Sequence, residues 1–260
     1  MSIVFTGKGT PITRADFAGA VAALGIDEAS LWTLVTVETR GFGFLPDRRP
    51  KILFERHIFH ERTGGRFDRT APDLSNPAAG GYSGGAGEYL RLQRAMALDE
   101  TAALQSASWG LGQVMGFNAA AAGFDSPAAM VTAMVAGEGA QLRAVTHFIV
   151  SNPALAAAFR ARQWAQVALF YNGRDYQKNH YDTLLQQHYT VFCNPAERPD
   201  LDLRTAQACL TYLGYRTSGV DGVLGPSTKA SLLAFRAAHG LPPGGLDGDV
   251  MQALMTAACI

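Results

Sequence analysis

The chain has 260 residues, of which 48% are hydrophobic and 17% are charged. This composition is typical of a folded globular protein with a substantial apolar core. Basic and acidic residues number 22 each, so we expect no nucleic-acid partner and no attraction to an anionic membrane. The chain opens without a basic stretch followed by an apolar run, and no apolar run reaches about 18 residues, so we expect neither a secretory signal peptide nor membrane insertion.

Helical patterns dominate the first 190 residues. Thr13 and Asp27 are predicted to cap the first two helices. Further helices are predicted near residues 88–98, 100–107, 127–136, 138–150, 154–161, 163–170 and 176–190. Between residues 63 and 87, a segment rich in Gly, Pro, Ser and Asn predicts a loop excursion, with short strands around Lys51–Phe54. The predicted fold class is mainly α with a small β/loop excursion.

The acid at the end of the second predicted helix is out of place. Glu38 follows an apolar helical pattern that Gly41 ends, so it faces the negative end of the helix dipole among apolar neighbours. Both surroundings should raise its pKa, unless Arg40 turns inward. A carboxyl that stays protonated near neutral pH can act as a general acid in glycosidic cleavage. The alternative is a structural glutamate at a helix end.

Two later motifs could line a groove. In SASWGLGQVMGFN (106–118), the glycines predict a close-packed turn beside a groove, or a core aromatic packed against glycines. In WAQVALFYNG (164–173), an apolar helix ends in Tyr171-Asn172-Gly173, whose polar tips could reach a ligand; the alternative is a helix C-cap at Asn172-Gly173.

The segment 192–202 contains two prolines and several charges and is predicted to link a domain over 1–191 to a domain over 203–260. The second domain combines a helix over 203–215 with two apolar-Asp-Gly turns, at Asp221 and Asp247, that each lead into a helix. It is predicted to be a small three-helix unit. Cys193, Cys209 and Cys259 show no metal-ligand spacing and are expected to be buried thiols, with a Cys209–Cys259 pairing left open.

The order of VET (37–39), GLGQ (110–113) and ALFYN (168–172) resembles the lysozyme-like superfamily. The closer resemblance, over about 15–190, is to phage-type N-acetylmuramidases, and it is also carried by PKILFERHIF (50–59), DLSNP (73–77) and GGYSGGAGEY (80–89). The C-terminal unit resembles a three-helix peptidoglycan-binding domain, through LGY, VDGVLGPST and AFRAAHGL. The combination resembles a modular phage endolysin.

This resemblance implies an α+β lysozyme-like domain that cleaves the β-1,4 bond between N-acetylmuramic acid and N-acetylglucosamine. It implies Glu38 as the general acid, with Thr39, Gln113, Tyr171 and Asn172 contacting sugar or supporting Glu38. Gly112 stands where methionine is commoner, which puts one groove contact in doubt. The partner would be peptidoglycan glycan strands, with no cofactor or metal required. A monomer would accumulate in the host cytoplasm and reach the wall through a separate pore.

A second carboxylate is harder to identify. Inverting hydrolysis wants a base roughly 6.5–9.5 Å from the acid, and Glu55 is our prediction, its alternative being a salt bridge with Lys51 or Arg56. Glu61, Asp68 and Asp73 are less favoured. If no second carboxylate is needed, the protein would be a lytic transglycosylase.

Two other functions are weaker alternatives. His57 and His60 could begin a zinc amidase site but have no evident third ligand. A non-catalytic wall-binding protein is the remaining alternative. In the C-terminal unit, Tyr212, Tyr215 and Arg236 are predicted to contact the wall.

Overall fold

The structure is a computed structural model that describes residues 3–39 and 41–260. The first domain is mainly helical, as predicted. Its α-helices are α1 (Arg14–Leu24), α2 (Glu28–Thr39), α3 (Arg56–Thr63), α4 (Gly87–Met96), α5 (Glu100–Gln105), α6 (Pro127–Ala136), α7 (Glu138–Ser151), α8 (Pro153–Arg160), α9 (Trp164–Asn172) and α10 (Tyr181–Phe192).

The helix starts follow the capping chemistry of the sequence. Thr13 and Asp16 form a capping box at α1, and the Asp27 carboxylate accepts from the Ser30 amide at 2.7 Å. Apolar faces then pack around a single large core that includes Leu31, Leu34 and Trp109. The α2 helix lies against α10, so the end of α2 is fixed by core packing on one side and open on the other.

A small antiparallel sheet stands beside the end of α2. Its strands are β1 (Ile52–Phe54), β2 (Ala107–Trp109) and β3 (Val114–Met115), in the order β1-β2-β3. Leu53 pairs with Ser108, and Ser108 pairs with Met115. The predicted strand around Lys51–Phe54 is therefore confirmed, and the turn between β2 and β3 is formed by the GLGQ motif.

Some predicted boundaries were wrong. Helix α3 was not predicted, because its sequence has few apolar residues and only Phe59 is fully buried. The predicted helix over 176–190 is instead a 3-10 helix (Arg174–Asn179) followed by α10, because His180 adopts a left-handed conformation with φ 54°. Helix α9 continues beyond the predicted residue 170 to Asn172, with its C-cap at Gly173.

The C-terminal domain contains α11 (Leu201–Tyr212), α12 (Pro226–Ala238) and α13 (Gly248–Ala257), packed around a core of its own. Helix α11 begins before residue 203 because Asp200 caps it. The Asp247–Gly248 pair forms the N-cap and first residue of α13 rather than a separate turn.

The cysteine predictions were wrong in part. Cys209 is buried, and burial raises the pKa of its thiol to about 11, whereas Cys193 and Cys259 are exposed. All three thiols are free. Cys209 and Cys259 do not pair, since Cys209 faces the C-terminal core and Cys259 follows the end of α13.

Among the described residues, no single helix has the length and apolarity to cross a membrane, and only the pair α1 and α2, bent by 107°, meets that test jointly.

Candidate active site

A cleft of about 340 Å³ lies between the end of α2 and the small sheet. A larger concavity of about 440 Å³ lies between the N-terminal segment and helices α11 and α13, where Asp202 is paired with Arg14 at 2.6 Å. The cleft is lined by Glu38, Thr39, Leu45, Lys51, Ile52, Leu53, Gly85 and Gln113. The structure thus brings together three of the predicted site residues, Glu38 and Thr39 from the end of α2 and Gln113 from the β2–β3 turn.

Glu38 is the acid in this cleft that can act as a proton donor. It sits in the last turn of α2 and is half-buried. Burial disfavours the charged form and raises the pKa of its carboxyl to about 8. The carboxyl is therefore protonated at neutral pH and able to donate a proton. Arg40, whose charge could have opposed this shift, lies outside the described residues.

Two phenols share the surroundings of Glu38. Burial is the main cause of the raised pKa of both Tyr171 and Tyr181, and the negative charge of Glu38 raises both further. Asn172 hydrogen-bonds the Tyr181 side chain. Tyr171 and Asn172 from α9 therefore meet Tyr181 from α10 around the acid. Tyr181 was not predicted, since nothing in the sequence of α10 sets it apart from the other aromatic residues of that helix.

Steric crowding explains why residue 112 is a glycine. The Tyr171 hydroxyl donates to the Gly112 carbonyl at 2.6 Å. A Cβ at Gly112 would overlap Val145 Cγ2 and lie 2.9 Å from the Tyr171 hydroxyl oxygen. A methionine therefore has no room here, and the turn approaches α7 and α9 more closely than a side chain would permit.

Gln113 holds the turn that carries it. Its backbone is left-handed, with φ 48°. Its side-chain oxygen accepts from the Ser108 hydroxyl at 2.8 Å, and its nitrogen donates to the carbonyls of Gly110 at 2.8 Å and Lys51 at 3.3 Å. These bonds tie the β2–β3 turn to β1. A direct contact between Gln113 and sugar stays a prediction.

Thr39 is also engaged within the chain. Its side chain is buried and its hydroxyl donates to the Val35 carbonyl at 3.2 Å. The Thr39 carbonyl accepts from the Lys51 ammonium at 2.9 Å, which joins the end of α2 to the start of β1.

Glu55 follows β1 directly. It is the N-cap residue of α3, two residues after the cleft-lining Leu53, and is not itself among the residues that line the cleft. The Tyr82 hydroxyl lies 2.9 and 3.1 Å from the two Glu55 oxygens, and His57 Nδ1 lies 3.2 Å from one of them.

Lys51 and Arg56 are the two cations considered as salt-bridge partners of Glu55, and the Lys51 ammonium donates to the Thr39 carbonyl at 2.9 Å. Arg56 donates instead to the carbonyls of Ala78 and Ala79, at 2.7 and 3.0 Å. Glu55 thus accepts hydrogen bonds from the Tyr82 hydroxyl, with the His57 ring beside it.

A buried glutamate that the sequence analysis did not single out fixes the loop beside Glu55. Glu88 is fully buried. One of its oxygens accepts from the amides of Ser83 and Gly84 at 2.5 and 2.9 Å, and the other accepts from the Phe54 amide at 3.1 Å and from Arg91 at 2.8 Å. The glycine-rich segment 80–85 is therefore tied to β1. The sequence feature that could have identified Glu88 is its position as an acid in the first turn of α4.

The less favoured acids have partners of their own. Asp68 pairs with His60 at 2.8 Å and accepts from Ser75 at 2.6 Å, and Asp73 pairs with Arg94 at 2.6 Å. These hydrogen bonds lower the pKa of both carboxyls, and Glu61 is exposed. Within the described part of the chain, no three His, Cys, Asp or Glu side chains are grouped so that they could hold a metal ion.

The three residues predicted to contact the wall are largely engaged inside the protein. The Tyr212 hydroxyl donates to the Gly9 carbonyl of the first domain at 2.8 Å, and Tyr215 packs against Phe235. Arg236 is buried, donates to the carbonyls of Pro242 and Gly245, and pairs with Asp247. Their contact with the wall stays a prediction.

Two comparisons with known proteins agree with this arrangement. The N-acetylmuramidase family model matches residues 27–193, and a peptidoglycan binding domain model matches residues 200–254. The chain is also similar to the crystal structure of Burkholderia AP3 phage endolysin, at 38% sequence identity and a TM-score of 0.65. That match covers 71% of this chain and 72% of the other. A search of curated proteins found no match.

Proposed function

The chain belongs to the N-acetylmuramidase family and carries a peptidoglycan-binding domain, and from this premise we propose that it is a phage endolysin that cleaves bacterial peptidoglycan by hydrolysis. The bond cleaved would be the β-1,4 linkage between N-acetylmuramic acid and N-acetylglucosamine. The observation that carries the proposal is the Glu38 carboxyl, whose pKa is raised to about 8 beside an open cleft.

In this proposal Glu38 protonates the oxygen that leaves when the glycosidic bond breaks. An acid that is protonated near neutral pH, where a solvated glutamate is ionised, can contribute about 10²–10⁴ to the rate. Tyr171 and Tyr181, whose phenols lie within the field of Glu38, would keep water from the acid and preserve the low-dielectric surroundings that hold its proton.

Glu55 would accept the proton of the attacking water. What supports this role is that Glu55 follows the cleft-lining Leu53 by two residues and accepts hydrogen bonds from the Tyr82 hydroxyl. The glycan would lie in the cleft between the two carboxylates, against Leu53 and the β2–β3 turn. Gln113 would act by holding that turn in place, and Asn172 by orienting Tyr181.

The C-terminal domain would keep the enzyme on its insoluble substrate, which raises the effective concentration of cleavable bonds. Val223 and Leu224, which follow the Asp221–Gly222 turn, are exposed at 56% and 44%, and we propose this turn as part of the wall-binding surface. The proposal includes a monomer that needs no cofactor. It also includes accumulation in the host cytoplasm and delivery to the wall through a separate pore.

Mass spectrometry of the fragments released from purified peptidoglycan tests the reaction. We expect fragments that end in reducing N-acetylmuramic acid, which borohydride converts to muramitol. Fragments ending in 1,6-anhydro-muramic acid would show that the reaction is transglycosylation and not hydrolysis. Fragments ending in reducing N-acetylglucosamine would show that the other glycosidic bond is cleaved. Walls that are bound but release nothing would leave only the wall-binding function.

A further inference from the structure

The contact between the two domains is built around a buried ion pair. Arg204 of α11 and Glu138 at the start of α7 are both fully buried, and two guanidinium nitrogens lie 2.5 Å from the two carboxylate oxygens. A buried ion pair is a costly way to join two surfaces, because both charges lose their hydration. Ordinary apolar packing is available beside it, where Phe42 and Phe44 meet Ala208 and Val220. Holding the two domains together therefore does not by itself explain why the interface contains this ion pair.

The Arg204 guanidinium also contacts a second group besides Glu138. Arg204 Nε donates to the Gly41 carbonyl at 2.7 Å, and a second guanidinium nitrogen donates to the same oxygen. Glu138, for its part, accepts from the Gly43 amide at 2.8 Å and from the Ile12 amide at 3.0 Å. Arg204 and Glu138 thus hold the segment 41–43 at both ends, immediately beyond the helix turn that carries Glu38.

The same segment supports the other side of the cleft. The Gly43 carbonyl accepts from the Lys51 amide at 2.7 Å, and the Lys51 carbonyl accepts from the Gly110 amide at 2.8 Å. A Cβ at Gly43 would overlap the Gln141 side-chain oxygen and lie 2.8 Å from the Leu111 amide nitrogen. Segment 41–43 therefore connects the end of α2 to β1 and to the β2–β3 turn, which are two walls of the cleft.

We propose that Arg204 is a positioning residue for Glu38, so that the C-terminal domain completes the active site as well as binding the wall. The inference rests on the proposed function. Its physical basis is that a rigid contact between segment 41–43 and a charged group from the other domain fixes where the last turn of α2 ends. Displacement of a catalytic group by about 1 Å can cost 10²-fold in rate.

The test uses the full chain and a soluble oligosaccharide of alternating N-acetylglucosamine and N-acetylmuramic acid, on which wall binding has no influence. Arg204→Lys keeps a charge opposite Glu138 but loses the planar fork of donors that reaches Gly41. We expect kcat to fall about 10-fold or more, with KM and sedimentation with purified walls unchanged within about twofold. Interactions made only with the transition state show this split.

A second variant separates positioning from stability. Arg204→Met combined with Glu138→Gln removes both charges, so no uncompensated ion is left buried. We expect its Tm to exceed that of Arg204→Met alone, while its kcat stays low. Asp202→Asn is the matched control, because it breaks an exposed pair between the same two domains, Arg14 with Asp202 at 2.6 Å, and should leave kcat unchanged.

A wild-type kcat in Arg204→Lys, or in the Arg204→Met and Glu138→Gln double variant, at an unchanged Tm would overturn the inference. A fall in wall sedimentation with kcat unchanged would overturn it as well. Recovery of kcat in step with Tm in the double variant would overturn it as well. Wild-type protein that cleaves neither the oligosaccharide nor purified walls would instead refute the proposed function, which keeps the two failures distinct.

Discussion

At the scale of single residues, the helix end that carries Glu38 determines its chemistry. Burial of the carboxyl is the cause of the shift of its pKa to about 8. The sequence could predict this direction, because the apolar helix pattern and the glycine stop are both local. It could not predict Tyr181, because the contact depends on how α10 packs against α2.

The raised pKa of Glu38 has a measurable consequence for the pH profile. The acid is protonated below its pKa and ionised above it, so kcat/KM should be retained as the pH falls from 8 to 7 and should be lost as the pH rises past about 8. The loss should approach tenfold per pH unit. The measurement is kcat/KM on the soluble oligosaccharide between pH 6 and 10. A profile that stays flat to pH 10, or that already falls between pH 6 and 7, would contradict the assignment.

Glu55 and Tyr82 give a second residue-scale prediction. Glu55→Gln should lower kcat by about 10²-fold or more, because the amide cannot take a proton from water. Tyr82→Phe should lower kcat by a smaller factor, because it removes the two contacts that orient Glu55. In the Glu55→Gln background, Tyr82→Phe should have little further effect on kcat, as expected for residues that act together. Near-normal activity of Glu55→Gln would remove the two-carboxylate mechanism.

At the scale of elements, the cleft depends on two turns that approach the helical body very closely. Loop 80–85 is tied to β1 by Glu88, and the β2–β3 turn is held against α7 and α9 at Gly112. The sequence predicted a loop excursion over 63–87 from its composition and a close-packed turn in 106–118 from its glycines. Val145 was not predicted because it lies on α7, distant along the chain from Gly112. Glu88 is close in sequence to loop 80–85, but its bond with the Phe54 amide depends on the fold.

Gly112→Ala tests this close approach. The added methyl group would overlap Val145 Cγ2, and overpacking of this kind costs about 1–3 kcal/mol of stability. The displaced turn should also weaken the bond from Tyr171 to the Gly112 carbonyl, so kcat should fall. Adding Val145→Ala removes the overlapping methyl groups and should restore part of both losses. Urea denaturation and kcat report the two effects, and an unaffected Gly112→Ala protein would show that the turn has room to move.

At the scale of the whole molecule, the two domains share a buried interface. The sequence predicted two domains joined by a linker, but not how they meet, because Arg204 looks like an ordinary arginine on an amphipathic helix. Its partner Glu138 lies 66 residues away, and only the fold brings the two together. Tyr212, predicted to contact the wall, lies instead at this interface, where its hydroxyl binds Gly9.

A buried interface predicts that the domains unfold together. Calorimetry should show a single transition for the full chain, and Arg204→Met should lower its stability by about 3–5 kcal/mol, because Glu138 would be left buried without a partner. Asp202→Asn should change stability by less than about 1 kcal/mol, since both members of that pair are exposed. Two separate wild-type transitions would show that the domains are energetically independent.

The central claim is that Glu38 supplies the proton that breaks the glycan. Glu38→Gln keeps the shape of the side chain and removes its acidic proton, so it tests the claim most directly. We expect release of soluble fragments from purified walls to fall by at least about 10²-fold, while the protein still sediments with the walls. A Glu38→Gln protein that releases fragments at the wild-type rate would contradict the account.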